Sequence, residues 1–572
     1  MGFLKQDAPV VEDFDAWSQG SRAEKIVPMA QHWAQVGFGT PVALHLLYAT
    51  KILAYAAIAL MIVLLTPGIS GVGEIEQWWT EPIVLEKVVL YTMLFEVIGL
   101  GCGFGPLNNR IFPPMGAILY WLRPNTIRLP PWPGRIPLTR GTSRTPVDVA
   151  LYAALLVMLV VALCGSGTGP IPEIDSTLGV LPAWEVAMVV ALLAACGLRD
   201  KSIFLGARGE VYGSLAVAFL LTGTDIIVAA KLIFLTIWLG AAVSKLNRHF
   251  PFVISTMMSN NPVLRPRWLK RKFFTHFPDD LTPSWISRWV AHAATAIELC
   301  VPIVLFFSHG GWPTAIAATV MVAFHLGILA SIPMGVPLEW NVFMIFGLLF
   351  LFVGHADISL TDMHSAWPLA LFAVVAGTVV VGNVAPRKVS FLPGMRYYAG
   401  NWDTSLWCMK PSASTKVEQH VVAIASMPAA QMERFYGSPE TAALYMYMGY
   451  AFRAFNTHGR AMFTLAHRAM AGQDEADYVL TDGERITSTA IGWNFGDGHM
   501  CNEQLIAALQ ERCDFEPGEV RVVLIDAQPI QRQTQRYRLV DAATGEFESG
   551  YVRVADMANS QPWDDTIPVF VD

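Results

Sequence analysis

Ten stretches of about twenty mostly apolar residues recur before residue 384, at about 42–66, 84–106, 147–168, 179–199, 203–222, 224–246, 287–307, 312–333, 337–355 and 366–383. A helix needs roughly twenty such residues to cross a bilayer core, and in lipid only helices and closed barrels satisfy their own backbone groups. The chain therefore reads as an α-helical polytopic membrane bundle of about ten spanning helices. Composition agrees, since 53% hydrophobic and 15% charged residues over 572 positions leave too few charges for a soluble chain. The fifth stretch, opening FLGARGEVYGSLAVAF, is the weakest because it holds Arg208, Glu210 and three glycines.

The loops support that count. Lys and Arg collect in the N-terminal segment (Lys5, Arg22, Lys25) and after the second (Arg110 to Arg144), fourth (Arg199, Lys201), sixth (Arg248 to Lys272) and tenth stretches (Arg387, Lys388, Arg396), whereas the alternate loops carry none. The positive-inside rule then places both termini in the cytoplasm of a multi-pass protein of the plasma membrane. Omitting any helix before the sixth would put basic loops on both sides. Residues 1–41 are polar and acidic without an apolar core, so they read as a cytoplasmic segment and not a cleaved signal peptide, which leaves targeting to the first span.

The connection 107–146 is rich in Pro and Arg, which forbids a regular helix and suggests an ordered loop on the headgroups. The connection 247–286 mixes basic residues with Trp268, Phe273, Phe274 and Trp285, an interfacial composition. The bundle is bounded as 42–383, and residues 384–572 read as a soluble α+β domain. In it VEQHVVAIASM (417–427) alternates like a strand, 438–470 is one long helical pattern, and 519–530 with 533–556 reads as a strand followed by a hairpin.

Several function classes are excluded. A net charge of -7 offers no basic face for nucleic acid. Seven scattered cysteines without a C-x-x-C pair indicate neither a disulfide framework nor a zinc site, and no metal ligand set is assigned. No H-E-x-x-H, G-x-S-x-G or phosphate-binding glycine loop is present, and GLGCGFGP (99–106) ends a span, where close helix packing is its reading.

What demands explanation is charge within the apolar stretches, because each ionisable group there costs about 2.5 kcal/mol or more. His45, Lys51, Glu96, Glu185, Arg208, Glu210, Lys231, Lys245, Glu298 and His325 all lie inside, with Glu339 near a helix end. His45, Arg208, Glu210, Lys245 and Glu339 fall toward the cytoplasmic ends, and Lys51, Glu96, Glu298 and His325 near mid-depth. Arg208 and Glu210 are two apart, so on a regular helix each needs a partner from another helix. Lys231 can snorkel; Glu298 and His325 cannot reach the headgroups and read as buried polar contacts or as ligand and proton handling. Together these groups suggest a polar interior opening to the cytoplasmic side.

Three ordered stretches resemble the horizontally transferred transmembrane domain, the fold that includes vitamin K-dependent γ-glutamyl carboxylase: WLGAAVSKLNRHF (238–250), ATAIELCVPIVLFF (294–307) and VAFHLGILASIPMG (322–335). The resemblance covers about 145–355. It implies a base at Lys245, acting through hydroquinone oxygenation chemistry, with Glu298 and His325 as further catalytic candidates. Ser244 stands where the carboxylase has a second lysine, and residues 384–572 do not resemble its large β-rich domain. End to end, including the Pro/Arg connection and YYAGNWDTSLW (397–407), the chain also resembles an uncharacterised family of actinobacterial multi-pass proteins.

In the C-terminal region Asp497, His499 and Cys501 of GWNFGDGHMCNE could form a small site, against the default of a satisfied turn. Arg453, His458, Arg460, His467 and Arg468 read as a basic stripe on one helix. The leading functional expectation is a membrane enzyme, of lyase or oxidoreductase type, acting on a lipid or isoprenoid quinone such as menaquinone or its hydroquinone. Arg208, Glu210, Glu339 and His45 are the expected binding residues. The competing expectation is a non-catalytic lipid-binding or transport-accessory protein whose partners are membrane lipids and hydrophobic small molecules. The first needs an unpaired Lys245; the second, paired charges and an apolar opening.

Overall fold

The computed structural model describes residues 2–101, 116–331 and 339–572. Cys102, Arg110, the 102–106 end of the glycine run, residues 107–115 and the last four residues of VAFHLGILASIPMG lie outside them. After a short helix over Phe14–Gln19 comes α1 (Arg22–Val36), opened by a capping box in which the Ser21 hydroxyl accepts from the Glu24 N–H and the Glu24 carboxylate accepts from the Ser21 N–H.

Six helices among the described residues are long and apolar enough to cross a membrane: α2 (Val42–Leu64), α4 (Pro146–Cys164), α6 (Thr224–Ser244), α8 (Trp285–Ser308), α9 (Gly311–Ser331) and α11 (Trp367–Val384). The remaining apolar stretches give shorter or interrupted elements: α3 (Pro82–Val97), α5 (Ala183–Arg199), a broken run over 201–218, and α10 (Glu339–Leu348) continued by a π-turn over Leu349–Gly354. The structure thus supports six spans where the sequence suggests about ten. Within its most apolar window α6 is 83% buried, against 17% to 33% for the other five, so α6 is the most enclosed of the six. It packs against α8, α11 and the end of the broken run.

The break explains the weak fifth stretch. Arg208 adopts the left-handed conformation (φ 52°, ψ 47°) between a short helix, Lys201–Gly206, and a π-turn, Gly209–Gly213. Its glycines serve close packing: a side chain at Gly206 would overlap the Trp121 ring, and one at Gly209 the Phe204 ring.

Two basic connections build on the same globular unit. Residues 247–286 form α7 (Phe250–Asn260) and a hairpin, β1 (Phe274–His276) with β2 (Asp280–Pro283). The Leu281 N–H donates to Gln561 (2.9 Å), and His249 contacts Gln528 (2.6 Å) and Thr457 (2.8 Å). In the Pro/Arg connection Thr142 donates to Glu511 (2.6 Å), and Gln504 donates to the Pro130 carbonyl (2.7 Å). The described part of that connection is therefore ordered against the C-terminal domain, whose side chains satisfy the backbone that proline leaves irregular.

The domain carries a six-stranded antiparallel sheet in the order β4-β3-β5-β6-β7-β8, with β3 (Thr404–Met409), β4 (Val479–Asp482), β5 (Val520–Ile525), β6 (Thr534–Asp541), β7 (Gly545–Arg553) and β8 (Val569–Val571). The expected strand and hairpin are β5, β6 and β7. Residues 417–427 are no strand: a helix over Pro411–His420 buries Ala413 and Val417, one turn apart, and irregular chain follows. The long pattern 438–470 divides at Asn456 into α12 (Pro439–Phe455) and α13 (Thr457–Ala469). These helices, the sheet, the β1–β2 hairpin and α1 share one apolar core, in which Trp33 is fully buried. Residues 14–36 thus pack with residues of 384–572 in that core.

The expected basic stripe is absent from that surface. Arg453, His458 and Arg460 are buried, Arg453 pairing with Asp482 (2.5 Å) and Glu484, and Arg460 donating to the carbonyls of Ala454 (3.1 Å) and Ser560. Arg468 alone of the arginines is partly open, paired with Glu548 (2.7 Å).

Candidate functional site

Where the bundle meets the domain lies a cavity of about 320 Å³. Its walls come from the ends of α6, α8, α9 and α10, from α7, and from Tyr397, Tyr398 and Phe495. They are overwhelmingly apolar, with Phe250, Val253, Met257, Ala294 and Ile328 among them. All three stretches of the carboxylase-like resemblance converge here, through Trp238 and Lys245, Ala294 and Glu298, and Phe324 and His325.

The charges in the wall are paired. Lys245, the cap residue after α6, contacts the Glu298 carboxylate in the middle of α8, joining two residues that the sequence placed at different depths. Each side chain is only 7% exposed, and the Lys245 ammonium also sits 5.3 Å from the Phe250 ring. Arg208 donates from Nε to Glu210 Oε1 at 2.8 Å. The expectation that these two need partners from other helices fails because the left-handed turn at Arg208 breaks the regular helix assumed for it. The guanidinium is also stacked among rings, 4.6 Å from Trp340, 5.1 Å from Phe495 and 5.3 Å from Tyr397, and the Tyr397 hydroxyl donates to Glu210 (3.1 Å).

His325 is fixed in one neutral form by its partners. The Trp238 indole N–H can only donate, so His325 Nε2 accepts it (3.1 Å) and Nδ1–H donates to Asn341 Oδ1 (3.0 Å). Both ring nitrogens are occupied. Proton transfer through this residue would require breaking one of those bonds.

A second buried group lies behind Arg208. Lys51 pairs with Glu339 (2.9 Å) and donates to the Leu100 carbonyl (3.1 Å), while Glu96 lies in the field of Arg208, Glu339, Lys51 and Glu210. Of the expected binding residues, Arg208 lines the cavity, Glu210 backs it, Glu339 belongs to this second group, and His45 is brought to neither. The His45 ring contacts the carbonyl of Pro41 (3.1 Å) in the first turn of its own helix. Lys231 does not snorkel: it is buried and donates to the carbonyls of His355 (2.6 Å) and Ile358 (2.5 Å).

In the domain, Asp497 caps a turn by accepting from the His499 N–H (2.9 Å) and also accepts from Ser390. The carboxylate that meets the His499 ring is instead Asp403, 3.3 Å from Nε2. Burial alone would push the His499 pKa down, but Asp403 overrides it and holds the imidazolium above its ordinary value of 6.5. Burial likewise opposes Asp403, yet His499 and Arg396 hold its carboxyl below its ordinary range. Cys501 is buried, 3.8 Å from the Asp497 carbonyl. The cluster joins the domain to the segment leaving the bundle, His499 through Pro386 and Asp497 through Ser390.

Sequence reasoning missed Trp238, Trp340, Asn341, Tyr397 and Phe495 as site residues. Trp238, Tyr397 and Phe495 stand in stretches it had quoted, but no local pattern places an indole donor against a histidine 87 residues away. A family model described as a transmembrane protein of unknown function (DUF3556) matches residues 1–572. No curated protein and no solved structure matches the chain.

Proposed function

The chain belongs to the DUF3556 family of transmembrane proteins, and from that premise we propose that its bundle binds an amphipathic apolar ligand, a lipid or isoprenoid quinone, in the cavity beneath the C-terminal domain. The observation that carries this reading is an apolar cavity of about 320 Å³, the size of a small-molecule site, whose charged wall residues already have protein partners. Such a wall can hold an isoprenoid or acyl chain. A headgroup that accepts hydrogen bonds would meet Arg208 and Lys245. The topology that goes with it has the membrane-embedded elements counted as ten, with both ends and the domain cytoplasmic in the plasma membrane. The contacts of both basic connections with one domain support it, as does the alternation of loop charge.

A catalytic reading, with Lys245 as base and Glu298 and His325 assisting, has one supporting observation: the three groups share this cavity, as the carboxylase-like resemblance implies. It requires the Lys245 and Glu298 pair to separate on ligand entry, so binding without chemistry is the reading that needs least change.

The test is extraction of protein purified in nanodiscs, followed by mass spectrometry of retained apolar molecules, with Ala294→Trp filling the cavity. Wild type should retain a lipid or quinone that the folded variant has lost. Equal retention by both would reject the cavity as the site, and failure of added menaquinone to quench tryptophan fluorescence in wild type would leave a lipid as its ligand.

A further inference from the structure

Behind the cavity wall the buried charges do not balance. Glu96 near the end of α3, Glu339 at the start of α10, Lys51 of α2, and Arg208 with Glu210 at the helix break are drawn together, three carboxylates against two cations. Lys51 is engaged by Glu339 and the Leu100 carbonyl, and Arg208 by Glu210. Glu96 is fully buried, and neither of its carboxylate oxygens has a hydrogen-bond partner among the described residues. The buried hydroxyl of Tyr212 lies in the same field, also without a partner among them.

We propose that Glu96 is a proton-binding site inside the bundle, linked to the ligand cavity through Arg208. An isolated carboxylate in a low-dielectric interior is far costlier than its neutral acid, and a proton on Glu96 brings the five-charge group to neutrality without moving an atom. Arg208 is the shared wall: one side faces the cavity and its three aromatic rings, the other the field of Glu96. It holds a left-handed backbone that residues with a side chain seldom adopt, which marks a position kept for its placement. This coupling rests on the cavity being the ligand site. A headgroup accepting from Arg208 competes with Glu210 for the guanidinium, leaves that carboxylate less well compensated, and so favours a proton on Glu96. By reciprocity, lower pH then tightens binding of that ligand.

Infrared spectra of ligand-free protein in nanodiscs test the proton directly. Wild type should show a protonated-carboxyl C=O band that Glu96→Gln, which mimics the protonated acid, has lost while remaining folded. A band that persists in Glu96→Gln, or that sodium at fixed pH removes from wild type, would overturn the assignment, the second in favour of a cation site. The coupling is read with a short-chain menaquinone as probe. At a pH high enough to have removed that band from ligand-free wild type, binding the probe should bring a proton onto Glu96 and restore the band, with affinity changing by up to about tenfold per pH unit in that range, whereas Glu96→Gln should bind it with no uptake and no pH dependence. If the probe fails to bind wild type, the quinone reading of the cavity falls while the infrared result still decides Glu96.

Discussion

Removing the Lys245 side chain tests whether the cavity wall is held by charge pairing. Lys245→Ala would leave Glu298, 7% exposed in the middle of α8, with no counter-ion. Breaking a buried pair from one side costs about 3–5 kcal/mol, whereas an exposed pair contributes only about 0–1 kcal/mol. With both side chains 7% exposed and Phe250 against the ammonium, the first regime applies without discount for solvent screening. Glu298→Ala should cost a similar amount for the same reason. The double substitution Lys245→Met with Glu298→Leu strands no charge, and should be more stable than either single variant by at least about 2 kcal/mol. Reversible unfolding in bicelles of Lys245→Met, Glu298→Leu and their combination, read as a double-mutant cycle, measures this. A coupling energy under about 0.5 kcal/mol would refute the reasoning, since independent sites add to within that margin. The same cycle guards against misreading function: loss of turnover in Lys245→Ala alone would not identify a base, because that variant also loses its fold's counter-charge.

The His499 and Asp403 contact gives a pH dependence with a definite sign. His499, raised above 6.5, stabilises fully below that value and loses its contribution as pH rises through its folded value, while Asp403, lowered from 3.8, is lost only on the acid side. Thermal stability should therefore fall as pH rises from about 6 to about 9, and His499→Asn should flatten that slope; an unchanged slope in the variant would discount the contact. At Gly459, in the first turn of α13, an added methyl would land on the Arg453 backbone carbonyl, which cannot swing aside. Gly459→Ala should cost about 1–3 kcal/mol or more, and a melting temperature unchanged from wild type would contradict the packing described.

What the sequence made legible was set by local pattern. Hydropathy located the six helices long and apolar enough to cross a membrane, and alternation located β5, β6 and β7, because burial of one face acts on each element by itself. It misread 417–427, where VEQHVVAIASM fits a period of two, while Pro411 at the first helical position and the buried pair Ala413 and Val417 fix a helix just before. It misassigned Arg208 and Glu210 by assuming a regular helix, since a left-handed residue leaves no hydropathy signal. Arg453 and Arg460 looked like a solvated stripe because their partners, Asp482, Glu484 and Ser560, come from elsewhere in the chain. The cavity was invisible for the same reason: its residues are individually ordinary, and only the order of helices around α6 brings them together.

The union of α1 with the C-terminal domain has a consequence for synthesis. Arg22 donates to the Phe463 carbonyl (3.1 Å) across 441 residues of chain, and Trp33 is sealed into a core whose other walls are translated last. At about 5–20 residues per second the ribosome needs roughly 20–90 s to supply those walls. Through that interval Ile26, Met29 and Trp33 present an apolar helix face beside a bilayer into which the spans are already being threaded. Nascent chains shortened at their C-terminal end thus hold α1 without its native partner. Reporter fusions made to such truncations would describe an assembly intermediate, and orientation of the mature protein is better read from probes placed in the full-length chain.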